Sequence, residues 1–453
     1  VELTRVEHAE LFVGDAALSA YYFCHALGFR MVASGGPETG LPGRRSFVLE
    51  QGAARLVVTS ALGAEGEVAA YVRAHGDGVR DVALGTPDAH TAFREAVSRG
   101  ARAVAEPFTY EADGQRVVKA TIAGPGNWVH SFIQRDTPSG AYLPGAYLPV
   151  DAGPSGGATL FSGVDHFAFA LERGRLLDTV GFYVDVLGFA QTHQEDVRTE
   201  YSGMSSRVVQ AAGGQVCFPL QEPVSGARRG QLEDFVDAHG GSGVQHLAFL
   251  ADDITRAVDA LTQRGVGLLD APRGYYEDLE ARLGTLGPFR RELLQARNIL
   301  MDRDAWGVLL QVFTRSQHAR RTLFFEVIQR QQARGFGGAN IQALYAAKEQ
   351  EATRAAGCDE PAATHVTSLP GLQRQRQSAP GEQRDARIDV HLPPGNGAQA
   401  EALGDHRQHQ RAEHQRQVVA DADVLARAER NVGELVARPA RLGGEAVRIE
   451  GLR

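Results

Sequence analysis

The chain is predicted to be an α+β protein built by duplication, each half a set of paired βαβββ modules. The first observation is a repeated opening. Val6-Glu7-His8-Ala9-Glu10-Leu11-Phe12-Val13 leads to Leu27-Gly28-Phe29, and Val164-Asp165-His166-Phe167-Ala168-Phe169-Ala170-Leu171 leads to Leu187-Gly188-Phe189. The second is a repeated middle: Gly76-Asp77-Gly78-Val79-Arg80-Asp81-Val82-Ala83 is echoed by Gly241-Ser242-Gly243-Val244-Gln245-His246-Leu247-Ala248. An offset of about 160 residues is too long for a solenoid repeat and suits a duplicated domain. The third is the order of periods within each half, strand, helix and several strands, then the same again.

Each element follows from local pattern. The opening runs alternate as strands do. Residues 89–100 and 254–265 carry helical apolar spacing and stop at Gly100 and Gly265, where glycine readily ends a helix. Pro144, Gly145, Pro149, Gly153, Pro154, Gly156 and Gly157 mark a connection between the halves. The expected division is 1–150, 160–352 and a tail, 353–453. Every Phe, Trp and Tyr lies at or before Tyr345, and the remainder is rich in Arg, Gln, Ala and Gly. Such a segment cannot bury enough apolar surface to order itself, so the tail is expected to be disordered. Its abrupt change of composition also leaves open an out-of-frame extension. His406, His409 and His414 read there as solvated imidazoles rather than a metal site.

Composition removes several function classes. The chain has 453 residues and a formal net charge of -8 without a long basic run, which argues against nucleic acid or an anionic membrane as partner. No apolar stretch is long enough for a membrane-spanning helix. Cys24, Cys217 and Cys358 stand at unrelated spacings, so neither a disulfide framework nor a zinc knuckle is expected. The opening residues lack the apolar run of a signal peptide. A cytoplasmic protein is the expectation.

The repeat also allows the halves to be compared. The second carries His166 and His246 where the first carries His8 and Asp81. Alternation should turn each to one face of its sheet, and a lone histidine there is more often hydrogen-bonded core than a ligand. Two at matching strand positions strengthen the metal reading. Glu326 then sits inside the apolar run Thr322-Leu323-Phe324-Phe325-Glu326-Val327-Ile328, where an unpaired carboxylate would be costly. Its partner is an arginine such as Arg320, Arg321 or Arg330, or else a divalent cation. Two imidazoles and one carboxylate suit non-haem Fe(II) oxygen chemistry, because three protein ligands leave positions free for a chelating substrate and dioxygen. The first half has no counterpart of Phe324-Phe325-Glu326 and is expected to support structure without metal.

At these residues the chain resembles a known family. Val164-Asp165-His166, Gly243-Val244-Gln245-His246-Leu247-Ala248, Leu309-Leu310-Gln311-Val312-Phe313-Thr314, Phe324-Phe325-Glu326-Val327-Ile328-Gln329-Arg330 and Gly335-Phe336-Gly337-Gly338-Ala339-Asn340-Ile341-Gln342-Ala343-Leu344-Tyr345 are similar to segments of the 4-hydroxyphenylpyruvate dioxygenase family. The likeness spans roughly residues 5–352 in order. It implies the vicinal-oxygen-chelate fold, two barrel-like domains of such modules, with Fe(2+) only in the C-terminal one. It carries the iron ligands onto His166, His246 and Glu326. It carries substrate contacts onto Ser206, Gln221, Gln231, Gln245, Gln311, Phe313, Phe324, Phe336, Asn340, Ile341 and Tyr345. It further implies an arylpyruvate and dioxygen as reactants, and association into homo-oligomers.

Two branches of that family differ in product. Ring-hydroxylating members form homogentisate, whereas hydroxymandelate synthases hydroxylate the benzylic carbon. Ile341 and Tyr345 stand where the former carry Phe and resemble the synthases. A branched aliphatic side chain there should let the substrate ring tilt. Pro219 and Glu200-Tyr201-Ser202 look more like the ring-hydroxylating branch, while Gln221 replaces its usual Asn. The synthase is the expected activity. A binding protein that sequesters small ligands would be expected to lack one of the three ligands. An extradiol ring-cleaving enzyme would need a further pocket base, absent from the motif segments. Phe336 to Tyr345 is expected to form a lid helix, hinged at Gly335, Gly337 and Gly338.

Overall fold

The computed structural model describes residues 1–342 apart from 138–139, 151–158, 199–202, 225, 227–228 and 272. The expectations for Tyr345, for Glu200-Tyr201-Ser202 and for the tail lie outside the described residues. The first half runs β1 (Arg5–Phe12), α1 (Ala16–His25), β2 (Arg30–Gly35), β3 (Arg44–Gln51) and β4 (Ala54–Ala61). It continues with α2 (Glu67–His75), β5 (Gly78–Gly85), α3 (Ala89–Ser98), β6 (Ala103–Ala112), β7 (Gln115–Ala123), β8 (Val129–Arg135) and the short β9 (Leu148–Pro149). The second half begins with β10 (Gly163–Ala170), α4 (Leu176–Gly181), β11 (Ala190–Arg198), β12 (Gly203–Gln210) and β13 (Cys217–Pro223). Then come α5 (Gln231–His239), β14 (Gly243–Leu250), α6 (Ile254–Gln263), three short helices α7 (Arg273–Glu277), α8 (Leu279–Leu283) and α9 (Arg291–Ala296), and β15 (Leu300–Arg303), β16 (Val308–Phe313) and β17 (Phe324–Gln331).

The strand orders are β6-β7-β8-β5-β1-β4-β3-β2-β9 and β11-β12-β13-β10-β14-β17-β16-β15. Read from opposite ends, they are the same order except for the added edge strand β9. The duplication is therefore architectural: β1 matches β10, β5 matches β14, and β8 matches β17. This is the expected vicinal-oxygen-chelate fold, two curled sheets of mixed strands. The helices start where sequence puts acidic caps. Asp88 accepts from the Thr91 amide and Asp253 from the Arg256 amide, each satisfying a donor the helix leaves free. Helix α6 buries Ile254, Ala257, Val258 and Leu261, the one-faced spacing of an amphipathic helix.

One core joins the two halves. The Phe23 ring lies 5.5 Å from Phe325, Phe29 lies 5.5 Å from Phe249, and Trp128 lies 4.6 Å from Phe169. The Trp128 indole N–H donates to the Tyr183 hydroxyl at 3.1 Å. Alternation sends Ala9, Leu11, Phe167, Phe169, Leu247 and Phe249 into this core, and His8, Glu10, His166 and His246 to the other face. The expected connection between halves begins packed against the first one. Tyr142, Leu143, Ala146 and Tyr147 pack with Val48, Val57, Ala83 and Ile133.

Inside the first curled sheet the charged centre is closed by a lysine. Lys119 Nζ lies 3.2 Å from Asp81 Oδ2, and the Thr59 hydroxyl donates to Glu10 at 2.7 Å. Burial disfavours the ammonium, but Asp81 and Glu10 outweigh it and raise its pKa above the ordinary lysine value. Lys119→Met should cost roughly 3–5 kcal/mol, since Asp81 would stay buried without its cation. Urea unfolding checks this, and a loss below about 1 kcal/mol would mean the pair contributes like an exposed one.

Candidate metal centre

Strand register brings the three expected ligands together. On β10 and β14, which run antiparallel, His166 pairs with Ala248 and Ala168 with His246. On β14 and β17, which run parallel, Ala248 pairs with Glu326 and His246 with Phe324. His166 and Glu326 therefore flank Ala248 from opposite sides, and His246 lies two residues back on the middle strand. Neighbours in register share a face, as do residues two apart. All three side chains point into the concavity.

There the donor atoms lie within 4.8 Å of one another. His166 Nε2 is 3.3 Å and His246 Nε2 is 3.4 Å from Glu326 Oε2. Glu326 is 1% exposed, and of its candidate arginines, Arg330 pairs with Asp165 and Arg320 donates to the Ala74 and Arg73 carbonyls. The second alternative for its partner, a divalent cation, fits this donor set. Burial opposes the imidazolium, yet Glu326 and then Asp165 raise His166 to about 9. Burial likewise opposes ionisation of Glu326, and the two imidazoles hold it at about 2. The cluster thus attracts positive charge, which a proton meets in part and a metal ion would meet fully.

Further contacts orient the ligands. His166 Nδ1 lies 2.7 Å from Asp165 Oδ1, so that nitrogen keeps its hydrogen, and the Nε2 proton that faces Glu326 is the one a metal ion would displace to reach the lone pair. The Gln311 amide donates to Glu326 Oε1 at 2.8 Å, and the Asn340 amide donates to Gln311 Oε1 at 2.8 Å. Asn340 Oδ1 lies 2.6 Å from the Tyr275 hydroxyl.

A cavity of about 290 Å³ opens beside the triad. Ser206, Gln221, Gln231, Gln245, Gln311, Phe313, Phe324, Phe336 and Ile341 all line it, with the three candidate ligands. Asn340 stands one layer behind that wall. It is fully buried, and its amide is engaged by Gln311 and Tyr275, so it orients Gln311. The glycines after Arg334 stand in close surroundings. Gly337 has φ +73°, and a Cβ there would meet Gln311 Oε1 at 2.2 Å; one on Gly338 would meet Glu195 at 2.2 Å. At Gly337 the positive φ and the close approach together call for glycine, whereas at Gly338 the carboxylate end of Glu195 could swing aside.

Sequence reasoning missed His193, Gln194, Glu195, Met204, Val208 and Leu269 in the cavity wall, and read Pro219 there only as a branch marker. A signal existed for several of them. Once Ser206 and Gln221 face the ligand, alternation adds Met204, Val208 and Pro219, and Val208 pairs with Pro219 as Ser206 pairs with Gln221.

Comparison with known proteins agrees with this geometry. Residues 5–132 and 163–312 match the Glyoxalase/Bleomycin resistance protein/Dioxygenase superfamily. Over 369 residues the chain is 33% identical to 4-hydroxyphenylpyruvate dioxygenase of Aspergillus fumigatus, covering 76% of this chain and 92% of that protein. The chain belongs to the 4-hydroxyphenylpyruvate dioxygenase family. Its relative of that name in Dictyostelium discoideum is 35% identical over 356 residues, covering 76% of this chain and 97% of the relative. A solved structure of a triply substituted 4-hydroxymandelate synthase from Streptomyces coelicolor superposes with a TM-score of 0.69 at 39% identity. That match covers 78% of this chain and 100% of the synthase chain. The family thus spans both names among the relatives of this chain. No helix of the described residues is long and apolar enough to cross a membrane.

Proposed function

We propose that this chain binds Fe(II) through His166, His246 and Glu326 and oxidatively decarboxylates 4-hydroxyphenylpyruvate, forming 4-hydroxymandelate. The iron centre belongs to the second half, and the first half serves as its support. The supporting observation for the chemistry is the buried triad of two imidazoles and one carboxylate facing an open cavity in a member of this family. Ile341 on that cavity's wall, with the 39% identity to a hydroxymandelate synthase, supports the product.

Bound Fe(II) supplies a centre that chelates the 2-oxo acid and activates dioxygen. The protein's own residues do the rest. Asp165 holds the His166 tautomer, and Gln311 holds one oxygen of Glu326 so that the other faces the imidazoles. Phe324 stacks 5.0 Å from His246, and Phe336 meets His166 edge-on at 5.5 Å, packing the ligands against apolar rings that limit water. Gln221, Gln231 and Gln245 offer neutral amides to the polar groups of a substrate. Ring position relative to the oxidant then selects the product.

The homogentisate-forming reading keeps specific support. The curated relatives carry the dioxygenase name, and Pro219 lines the cavity. Purified protein given Fe(II), 4-hydroxyphenylpyruvate and air distinguishes the readings by chromatography and mass spectrometry of the acid formed. 4-Hydroxymandelate as the main product supports the proposal, and homogentisate replaces it with the second reading. Anaerobic mixing should first give a chelate charge-transfer band, whose absence would count against any 2-oxo acid chemistry here.

A further inference from the structure

We propose that Arg330 is a positioning residue that couples metal occupancy at His166 to the order of the segment closing the cavity. The inference rests on reading His166, His246 and Glu326 as metal ligands. Arg330 lies on β17 four residues beyond Glu326, so alternation places both on one face. Its Nε lies 2.6 Å from Asp165 Oδ2 and its Nη2 lies 2.8 Å from Asp165 Oδ1, a two-point grip on the carboxylate that orients His166. Its Nη1 donates to the Gly335 carbonyl at 2.6 Å and the Ala333 carbonyl at 3.3 Å. The guanidinium carbon also sits 5.1 Å from the Phe336 ring centre. One planar cation therefore touches the support of a candidate ligand, the backbone turn before the closing segment, and that segment's aromatic ring.

Phe336 is where such coupling would matter. Its ring packs edge-on against His166 and against His193, each at 5.5 Å. Behind it lies a second cavity of about 560 Å³, whose wall includes Asp165, His193, Cys217, Arg330 and Phe336. Phe336 and His193 line both cavities, so the ring partitions the candidate centre from the space behind. A metal on His166 Nε2 makes Nδ1–H a stronger donor to Asp165. That sharpens the orientation of Asp165, and Arg330 passes the constraint to residues 333–336. Only a guanidinium has the planar fork to hold a carboxylate and two carbonyls together; an ammonium does not.

The test uses Co(II) as the probe and the full chain, anaerobically and without substrate. Affinity is read from the cobalt absorption spectrum, and segment order from amide hydrogen exchange in peptides spanning 333–342. In the native protein, Co(II) should slow exchange in that segment. In Arg330→Gln, Co(II) affinity should fall about tenfold or more, and saturating Co(II) should no longer slow the exchange. Arg330→Lys keeps the buried charge and serves if Arg330→Gln does not fold; it too should lose the exchange response. Retention of the native response in whichever variant folds overturns the coupling, whatever its affinity. Failure of the native protein to bind Co(II) would sink the metal-centre reading and this inference with it. Binding with identical responses in native and variant proteins would sink the inference alone.

Discussion

Glu326→Ala is expected to bind iron far below one equivalent and to turn over 4-hydroxyphenylpyruvate about a thousandfold more slowly, a loss of ~4 kcal/mol in barrier stabilisation. The carboxylate is the sole anion of the triad, and both imidazole Nε2 atoms converge on its Oε2. Alanine would leave two neutral donors on adjacent strands and an empty corner beside them. The fold should survive. Removing an acid from this pocket strands no arginine or lysine, because Arg330 is held by Asp165 and the amide of Gln311 can turn to the cavity it already lines. Thermal unfolding should therefore stay near the native midpoint while metal content, measured by elemental analysis, collapses. Near-native turnover by this variant would remove Glu326 from the chemistry.

Ile341→Phe is expected to raise the homogentisate-to-hydroxymandelate ratio by tenfold or more, equivalent to ~1.4 kcal/mol between competing barriers. Ile341 packs against the cluster of Ala170, Val197, Met204, Leu232 and Phe235 while also facing the cavity. A flat ring there would narrow the space into which a bound substrate ring tilts. It would do so without a polar or charged change, so iron affinity should stay native. Overpacking costs about 1–3 kcal/mol in a filled core, but this side chain is only half-buried and opens onto free volume, so folding should tolerate it. Product analysis under single-turnover conditions is the measurement. An unchanged ratio would move selection to the wall where Ser206, Val208, Pro219 and Gln221 stand on β12 and β13.

Much of the candidate centre was legible because sheets translate sequence into faces simply. His166, His246 and Glu326 stood out as polar residues inside apolar strand patterns, and the repeat singled out the half that carries them. Their convergence depends on register, which local pattern does not encode. A one-residue slip of β17 against β14 would turn Glu326 into the core and Phe325 into the cavity. The partner of Arg330 was likewise undecidable from order alone. Glu326 and Arg330 share a strand, whereas Asp165 lies on β10, the strand flanking β14 from the other side. The place of Asn340 was hidden for a related reason. It lies between the cavity residues Phe336 and Ile341, yet a short helix turns successive side chains through different directions, and Asn340 points to Tyr275.

From its residues alone, this chain declared a doubled architecture, the strands that build it, three candidate donors and a family. Tertiary structure decided which face of each sheet is concave, how the strands align so that the donors meet, and which nearby side chains orient them. Covalent order constrains neighbours a few residues apart. A metal-sized cluster needs atoms from β10, β14 and β17 to converge within 4.8 Å, and only packing and hydrogen-bonded register bring such distant segments together.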